Sequence, residues 1–247
     1  MLPRRSFLPG CLLLLCASSL HGNAFNDYLI AHWTFENTSL ESQTGTFSLK
    51  PSNFGRDPSL TFEHGKALLG RGKLLTCAEL NSNTQPTLRQ SVTIWMRCRL
   101  SEVPVRTSFL VGFTNQSQPG DWANLVFGIT YSNEANSSPS GLSVQACTED
   151  RTSPVALGQI VPVVPGEELT LAATFDGVGQ TFTLVVNGKS FQKKLPSQSV
   201  LDAFSNFRVG RLKEAGAIVL QVDEIRIYSV AIPINWIGDI QPTSGNQ

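Results

Sequence analysis

Beyond residue 28 the chain runs in short stretches where apolar and polar residues alternate, the period of a strand with one face in a core and the other turned away. The clearest is 91–100, where Val92, Ile94, Met96, Cys98 and Leu100 share one face and Thr93, Trp95, Arg97 and Arg99 the other. Ala123, Leu125, Phe127, Ile129 and Tyr131 alternate in the same way with Asn124, Val126, Gly128 and Thr130. Residues 29–36 are rich in β-branched and aromatic side chains and predict a first strand; 109–113 and 142–147 predict two more. Short runs at 47–49, 60–62, 67–69 and 74–78 are separated by Gly and Pro. Leu169, Leu171, Ala173 and Phe175 form one inward row and Phe182, Leu184 and Val186 the next. The Asp176-Gly177-Val178-Gly179-Gln180 connection between them predicts a hairpin, its glycines expected to supply positive φ, and Asn187-Gly188 predicts a type I′ turn. Runs at 204–211 and 218–228 complete the series. In the last, alternation assigns Ile225 and Ile227 to the core, Glu224 and Arg226 outward, and the adjacent Asp223 and Glu224 to opposite faces. Many short strands and no long amphipathic helix predict an antiparallel all-β sandwich or barrel.

Composition narrows the class. A chain of 247 residues, 41% of them hydrophobic, is expected to bury one substantial core. Only 15% of residues are charged, with 19 basic against 19 acidic, so no global electrostatic case exists for nucleic acid or an anionic membrane. Arg4-Arg5, the apolar run 12–17 and Gly22-Asn23-Ala24 have the form of an export signal, 1–24, too short in its apolar part to span a bilayer. The domain is then expected over 25–240, with a polar tail at 241–247 and a product secreted or periplasmic. Arg4-Arg5-Ser6-Phe7-Leu8 leaves the twin-arginine and general secretory routes both open. Cleavage would leave Cys77, Cys98 and Cys147, which allow one disulfide in any of three pairings or buried free thiols, the latter expected for Cys98.

A series of ordered landmarks carries a family resemblance: His32-Trp33-Thr34-Phe35-Glu36, Ser91-Val92-Thr93-Ile94-Trp95-Met96, Leu171-Ala172-Ala173-Thr174-Phe175-Asp176-Gly177, Leu184-Val185-Val186-Asn187-Gly188-Lys189, Val209-Gly210-Arg211 and Asp223-Glu224-Ile225-Arg226-Ile227-Tyr228. Together they resemble the laminin-G-like, concanavalin A-like jelly-roll domains over nearly all of the chain after the export signal. The chain departs from that pattern at Glu167-Glu168, where an aromatic-histidine pair is usual, and in the long stretch between Leu100 and Pro162. The resemblance implies a two-sheet antiparallel jelly-roll sandwich with a concave face and, in many relatives, binding of glycans or protein partners. Fold alone names no ligand.

Chemistry on this scaffold would need paired carboxylates. Glucanases of the superfamily place them on one strand face as E-x-D-x-(x)-E, and no E-x-D occurs in the chain. His32 and His64 stand in no nucleophile context, so the sequence predicts a non-catalytic binding module. For glycan binding, an aromatic ring stacks on the sugar while polar groups hold its hydroxyls. Trp95 with Arg97 and Arg99 on a strand, and Trp122 with Asn124 on a loop, are the candidates; the structural alternative for Trp95 is packing beneath a loop. Trp33 and Trp236 are expected in the core. Asp223 and Glu36 are the candidate ligands of a structural calcium ion, against the alternative of hydrogen-bonded and solvated carboxylates. The partner is expected to be a glycan or a protein.

Overall fold

The computed structural model describes residues 25–53, 60–70, 73–102, 104, 107–115, 125–133, 140–150, 154–157, 160–195, 197–210 and 219–240. The expected export signal, the tail from 241, Trp122 and Asn124 lie outside these residues. The strands, in chain order, are β1 (Leu29–Trp33), β2 (Lys50–Asn53), β3 (Thr61–Glu63), β4 (Lys66–Leu69), β5 (Lys73–Cys77), β6 (Ser91–Leu100), β7 (Ser108–Thr114), β8 (Leu125–Ser132), β9 (Gly141–Ala146), β10 (Val155–Ala156), β11 (Glu168–Asp176), β12 (Thr181–Val186), β13 (Lys189–Lys194), β14 (Asn206–Gly210) and β15 (Leu220–Tyr228). Helix is limited among the described residues to two 3-10 turns and one α-helical turn, Ile234–Ile237.

The strands form an antiparallel all-β sandwich. One sheet has the order β13-β12-β11-β6-β15-β4-β3, with β1 also paired to β15; the other runs β10-β9-β8-β7-β14-β5-β2. The apolar rows predicted by alternation meet between them: Val92, Ile94, Met96, Cys98 and Leu100 from one sheet, Phe127, Ile129 and Tyr131 from the other, all buried in one continuous core. Trp33 of β1 stacks on Phe207 of β14 at 5.9 Å between ring centres, and Phe113 packs on Phe207 at 5.4 Å, so aromatic rings join the two layers.

Several local departures have physical causes. Strand β1 ends at Trp33, short of residue 36, and Phe35 has φ +59°, outside the extended region. The run 47–49 contributes only an isolated bridge between Glu41 and Ser48, whereas Lys50–Asn53 forms a strand through Pro51. Proline is tolerated because β2 pairs with β5 alone, at the sheet edge. In the 176–180 connection the positive φ, +55°, belongs to Gln180. Gly177 is required for a different reason, since a Cβ there would lie 2.0 Å from the Ser199 carbonyl oxygen. Asn187 and Gly188, at φ +47° and +79°, do make the tight turn of the β12/β13 hairpin. Trp33 is in the core as expected, but Trp236 is half-buried on the outer face of the first sheet, edge-on to Phe25 at 5.3 Å.

In β15 the register against β6 shifts between Val222 and Glu224. This bulge inserts Asp223 as an extra residue, so Asp223 and Glu224 both lie opposite Arg97. Strict alternation predicted opposite faces for the two carboxylates; the bulge puts them on the same one.

Strands β7 and β8 approach unusually closely where Gly112 faces Gly128. A Cβ on Gly112, whose φ is +153°, would stand 2.2 Å from the Phe127 carbonyl oxygen, and one on Gly128 would stand 2.3 Å from that of Val111. Gly112→Ala is therefore expected to cost about 3 kcal/mol, through overpacking and backbone strain, in urea unfolding. Gly70→Ala, where a Cβ meets nothing within 4 Å, should leave the midpoint unchanged.

Cys77, Cys98 and Cys147 are free thiols. Burial pushes Cys77 and Cys147 up to about 11, and Cys98 further still. At pH 8 only about one Cys77 or Cys147 in a thousand is then thiolate. Protein lacking residues 1–24 should react very slowly with a thiol reagent when native and release all three thiols in denaturant.

Candidate functional site

The two outer faces of the sandwich differ in how their polar groups are satisfied. On the first sheet, β6 presents Thr93, Trp95, Arg97 and Arg99 away from the core, as predicted. Trp95, however, is fully buried. The segment after β15 folds back over it, packing Ile232 and Ile237 with Tyr228, Ala172 and Val185 into a second apolar cluster around the indole. Thr93 ties this cover down: its Oγ1 donates to the Val230 carbonyl at 2.8 Å and accepts from the Ile232 N–H at 2.9 Å. The Arg226 guanidinium lies over the ring, 5.2 Å from its centre. In this arrangement Trp95 has no face available for a sugar, and the packing alternative describes it.

The rest of that face carries an ion network, beside which Arg99 Nε is buried without a hydrogen-bond partner. Glu224, 1% exposed, receives His32 Nε2 at 2.7 Å, Arg226 Nε at 2.7 Å and Arg226 Nη2 at 2.5 Å, with Arg97 Nη2 at 3.8 Å. Asp223 pairs with Arg97 Nε at 2.5 Å and Lys66 Nζ at 3.8 Å, and Lys66 also lies 3.7 Å from Glu168. Arg97 is thus occupied by carboxylates of its own chain, and Arg99 sits beside it in register with Glu168 and Gln221. The candidate calcium ligand Asp223 is held by two cations, and Glu36 lies in an exposed turn. No group of three or more His, Cys, Asp or Glu among the described residues could hold a metal ion. The bulge sets Asp223 against Arg97, a charge-paired form of the alternative stated for it, and Glu36 is solvent-exposed.

The outer face of the second sheet is different. In β14, Phe207 and Val209 enter the core, which turns Asn206 and Arg208 outward. Pairing across the sheet lays out one transverse row: Lys50, Thr76, Arg208, Gly112, Gly128, Gln145 and Ala156. The two glycines that let β7 and β8 approach put no side chain in the middle of this row, and both are buried. The half-buried Phe109 ring borders them, with Cε2 3.2 Å from where a Gly128 Cβ would stand. Phe109 is absent from both apolar clusters, so this ring belongs to the outer face.

Arg208 is recessed within the row, 8% exposed. Its Nε donates to Asn206 Oδ1 at 2.8 Å, and the same oxygen accepts from Thr114 Oγ1 at 2.7 Å, which fixes the amide and, through it, the guanidinium. Burial alone pushes this guanidinium below the usual arginine range. Among the described residues no carboxylate pairs with it. The row also has a charged end, where Lys50 and Glu79 pair at 3.0 Å.

Of the residues predicted for a site, Trp95, Arg97 and Arg99 share the outer face of β6, where the first is covered and the second paired. Trp122 and Asn124, outside the described residues, belong to the connection from β7 to β8, two strands of the opposite sheet. Among the described residues the predicted set is represented by Trp95, Arg97 and Arg99 alone. Phe109, Asn206, Arg208, Gly112 and Gly128 were missed, although glycines inside alternating strands mark places of close approach and could have drawn attention to this face.

No family model and no curated protein matches the sequence. Solved structures match in fold. The binding domain of botulinum neurotoxin DC, in complex with rat synaptotagmin II, superposes with a TM-score of 0.66 at 12% identity, over 88% of this chain and 53% of that one. A structure described under the cell entry of botulinum neurotoxin type C, dependent upon interaction with two ganglioside molecules, gives 0.63 at 13%, over 89% and 53%. The chain thus spans about half the length of those neurotoxin chains. Domain 4 of an extracellular arabinanase from Geobacillus stearothermophilus, in complex with arabinotriose, gives 0.61 at 16%, over 86% of this chain and 97% of that one. At these identities the likeness establishes the fold, an all-β sandwich shared with domains that bind ligands.

The ion network itself is testable. Glu224→Gln keeps the shape but removes the buried counter-charge of Arg226 and Arg97. It should cost about 3 kcal/mol in urea unfolding, because cations are left buried without their partner.

Proposed function

We propose that this protein is an exported, non-catalytic binding module of the laminin-G-like, concanavalin A-like type, and that it recognises carbohydrate through the outer face of its second sheet. The observation that carries the proposal is the transverse row around Arg208. A half-buried aromatic ring, a pair of facing glycines with no side chain and the polar groups of Thr76, Arg208 and Gln145 lie together on a face turned away from the core. An aromatic ring for a sugar's apolar side, with a few fixed donors for its hydroxyls, is what such recognition requires. The arabinotriose-bound arabinanase domain and the ganglioside-dependent neurotoxin, similar to this chain in fold, support the same direction.

Catalysis has little to draw on. Asp223 and Glu224, brought to one face, are both held by arginines, which leaves neither free to act as proton donor or nucleophile in a sugar-cleaving pair. Export rests on the sequence of residues 1–24.

A glycan array probed with the purified protein tests this reading. At least one glycan should be retained, and Phe109→Ala should weaken that binding about tenfold, the loss expected for one stacked ring, while the protein keeps its thermal transition. Retention of no glycan by protein with an intact thermal transition would discard the carbohydrate reading in favour of a protein-interaction domain, as in the synaptotagmin-bound neurotoxin domain.

A further inference from the structure

Among the described cations, the exposed Lys193 donates to the Ala156 carbonyl and Arg99 keeps a buried Nε without a hydrogen-bond partner; of the others with described side-chain partners, all but Arg208 reach carboxylates. Arg97 and Arg226 reach Asp223 or Glu224, Lys66 lies between Asp223 and Glu168, Lys50 pairs with Glu79, and Arg89 with Glu149. Arg208 is more buried than any residue expected to hold a free charge, yet its described partner is the neutral Asn206. A guanidinium does not give up its proton in a protein, so it cannot escape burial by neutralising. Burying it unpaired is costly, and a fold that retains it there leaves room for an anion from outside.

From this we infer that the carbohydrate site proposed above, on which this inference rests, takes an acidic sugar, with the sugar's carboxylate seated on Arg208. The hydrogen bond from Nε to Asn206 uses one edge of the guanidinium and fixes its plane, leaving the terminal Nη groups as a planar fork. Such a fork matches the two coplanar oxygens of a carboxylate. Thr114 locks the arrangement from behind, because its hydroxyl holds the same Asn206 oxygen. Beside Arg208 in the row stand Thr76 on one side and Gly112 on the other. Gly112 and Gly128 put no side chain between the fork and the Phe109 ring bordering Gly128. At the usual strand spacing, Arg208 and Gly128 are about 10 Å apart across the sheet, so one ligand can meet both the charge and the ring.

The test compares polygalacturonate with its methyl-esterified form, and sulfated dextran with dextran, by affinity electrophoresis and calorimetry on the exported protein. Polygalacturonate should bind at least tenfold more tightly than its ester. Arg208→Met should abolish that preference, and Arg208→Lys, which keeps the charge but not the fork, should lose most of it. Arg208→Met should melt no lower than the unsubstituted protein, since it replaces an unpaired buried charge with an apolar chain of similar length. A lower melting point with the preference intact would make Arg208 a structural residue and overturn the inference. Equal binding of polygalacturonate and its ester, or preference for sulfated dextran alone, would overturn it while leaving glycan recognition standing. Binding to no glycan on the array as well would remove both.

Discussion

Between Val222 and Glu224 the central strand β15 takes in one residue more than β6 beside it, and the rest of the first sheet is arranged around that insertion. On its other edge β15 is shared: Leu220, Gln221 and Val222 pair with β4 before the bulge, while Ile225, Arg226, Ile227 and Tyr228 pair with β1 after it. The bulge is where one neighbour gives way to the next. It also brings Asp223 and Glu224 to the same face, where Arg97, Arg226, His32 and Lys66 converge on them. A strand without the extra residue would send one of these carboxylates toward the apolar core, where it would have to be buried without a partner.

The two outer faces then divide the work. On the first sheet, charges neutralise one another and the chain's own C-terminal segment supplies the apolar cover over Trp95. On the second sheet the close approach of β7 and β8, possible only because residues 112 and 128 are glycine, removes side chains from the middle of the face. A fixed arginine and an aromatic ring stand on either side of these two glycines. Under the proposed function, stability and recognition lie on opposite sides of one core, and a change on one face need not disturb the other. Aromatic contacts such as Trp33 on Phe207 carry the mechanical connection between them.

Much of the fold was legible in residue order, because strand alternation and turn chemistry are local. The period-two pattern identified the inward face of β6, from Val92 to Leu100, and the core rows of β11 and β12. Asn187-Gly188 announced its turn through backbone preference alone. Errors arose where one extra residue shifts the phase, as at Asp223, or where a glycine serves a neighbour's carbonyl and not its own φ, as at Gly177.

The candidate site was less legible. Trp95 and Arg97 were recognised correctly as outward-facing, yet what covers or pairs an outward residue comes from distant chain: Ile232 and Ile237 over Trp95, Asp223 on Arg97, and His32 on Glu224 across 192 residues. Arg208 carried no local sign of its isolation. By itself, then, the sequence determined which side chains face the core, because that depends on period and propensity along a few residues. Which outward carboxylates and guanidinium groups pair, and which guanidinium is left with a neutral partner near an aromatic ring, was decided only by tertiary structure, since charge pairing and burial depend on strands brought together from opposite ends of the chain.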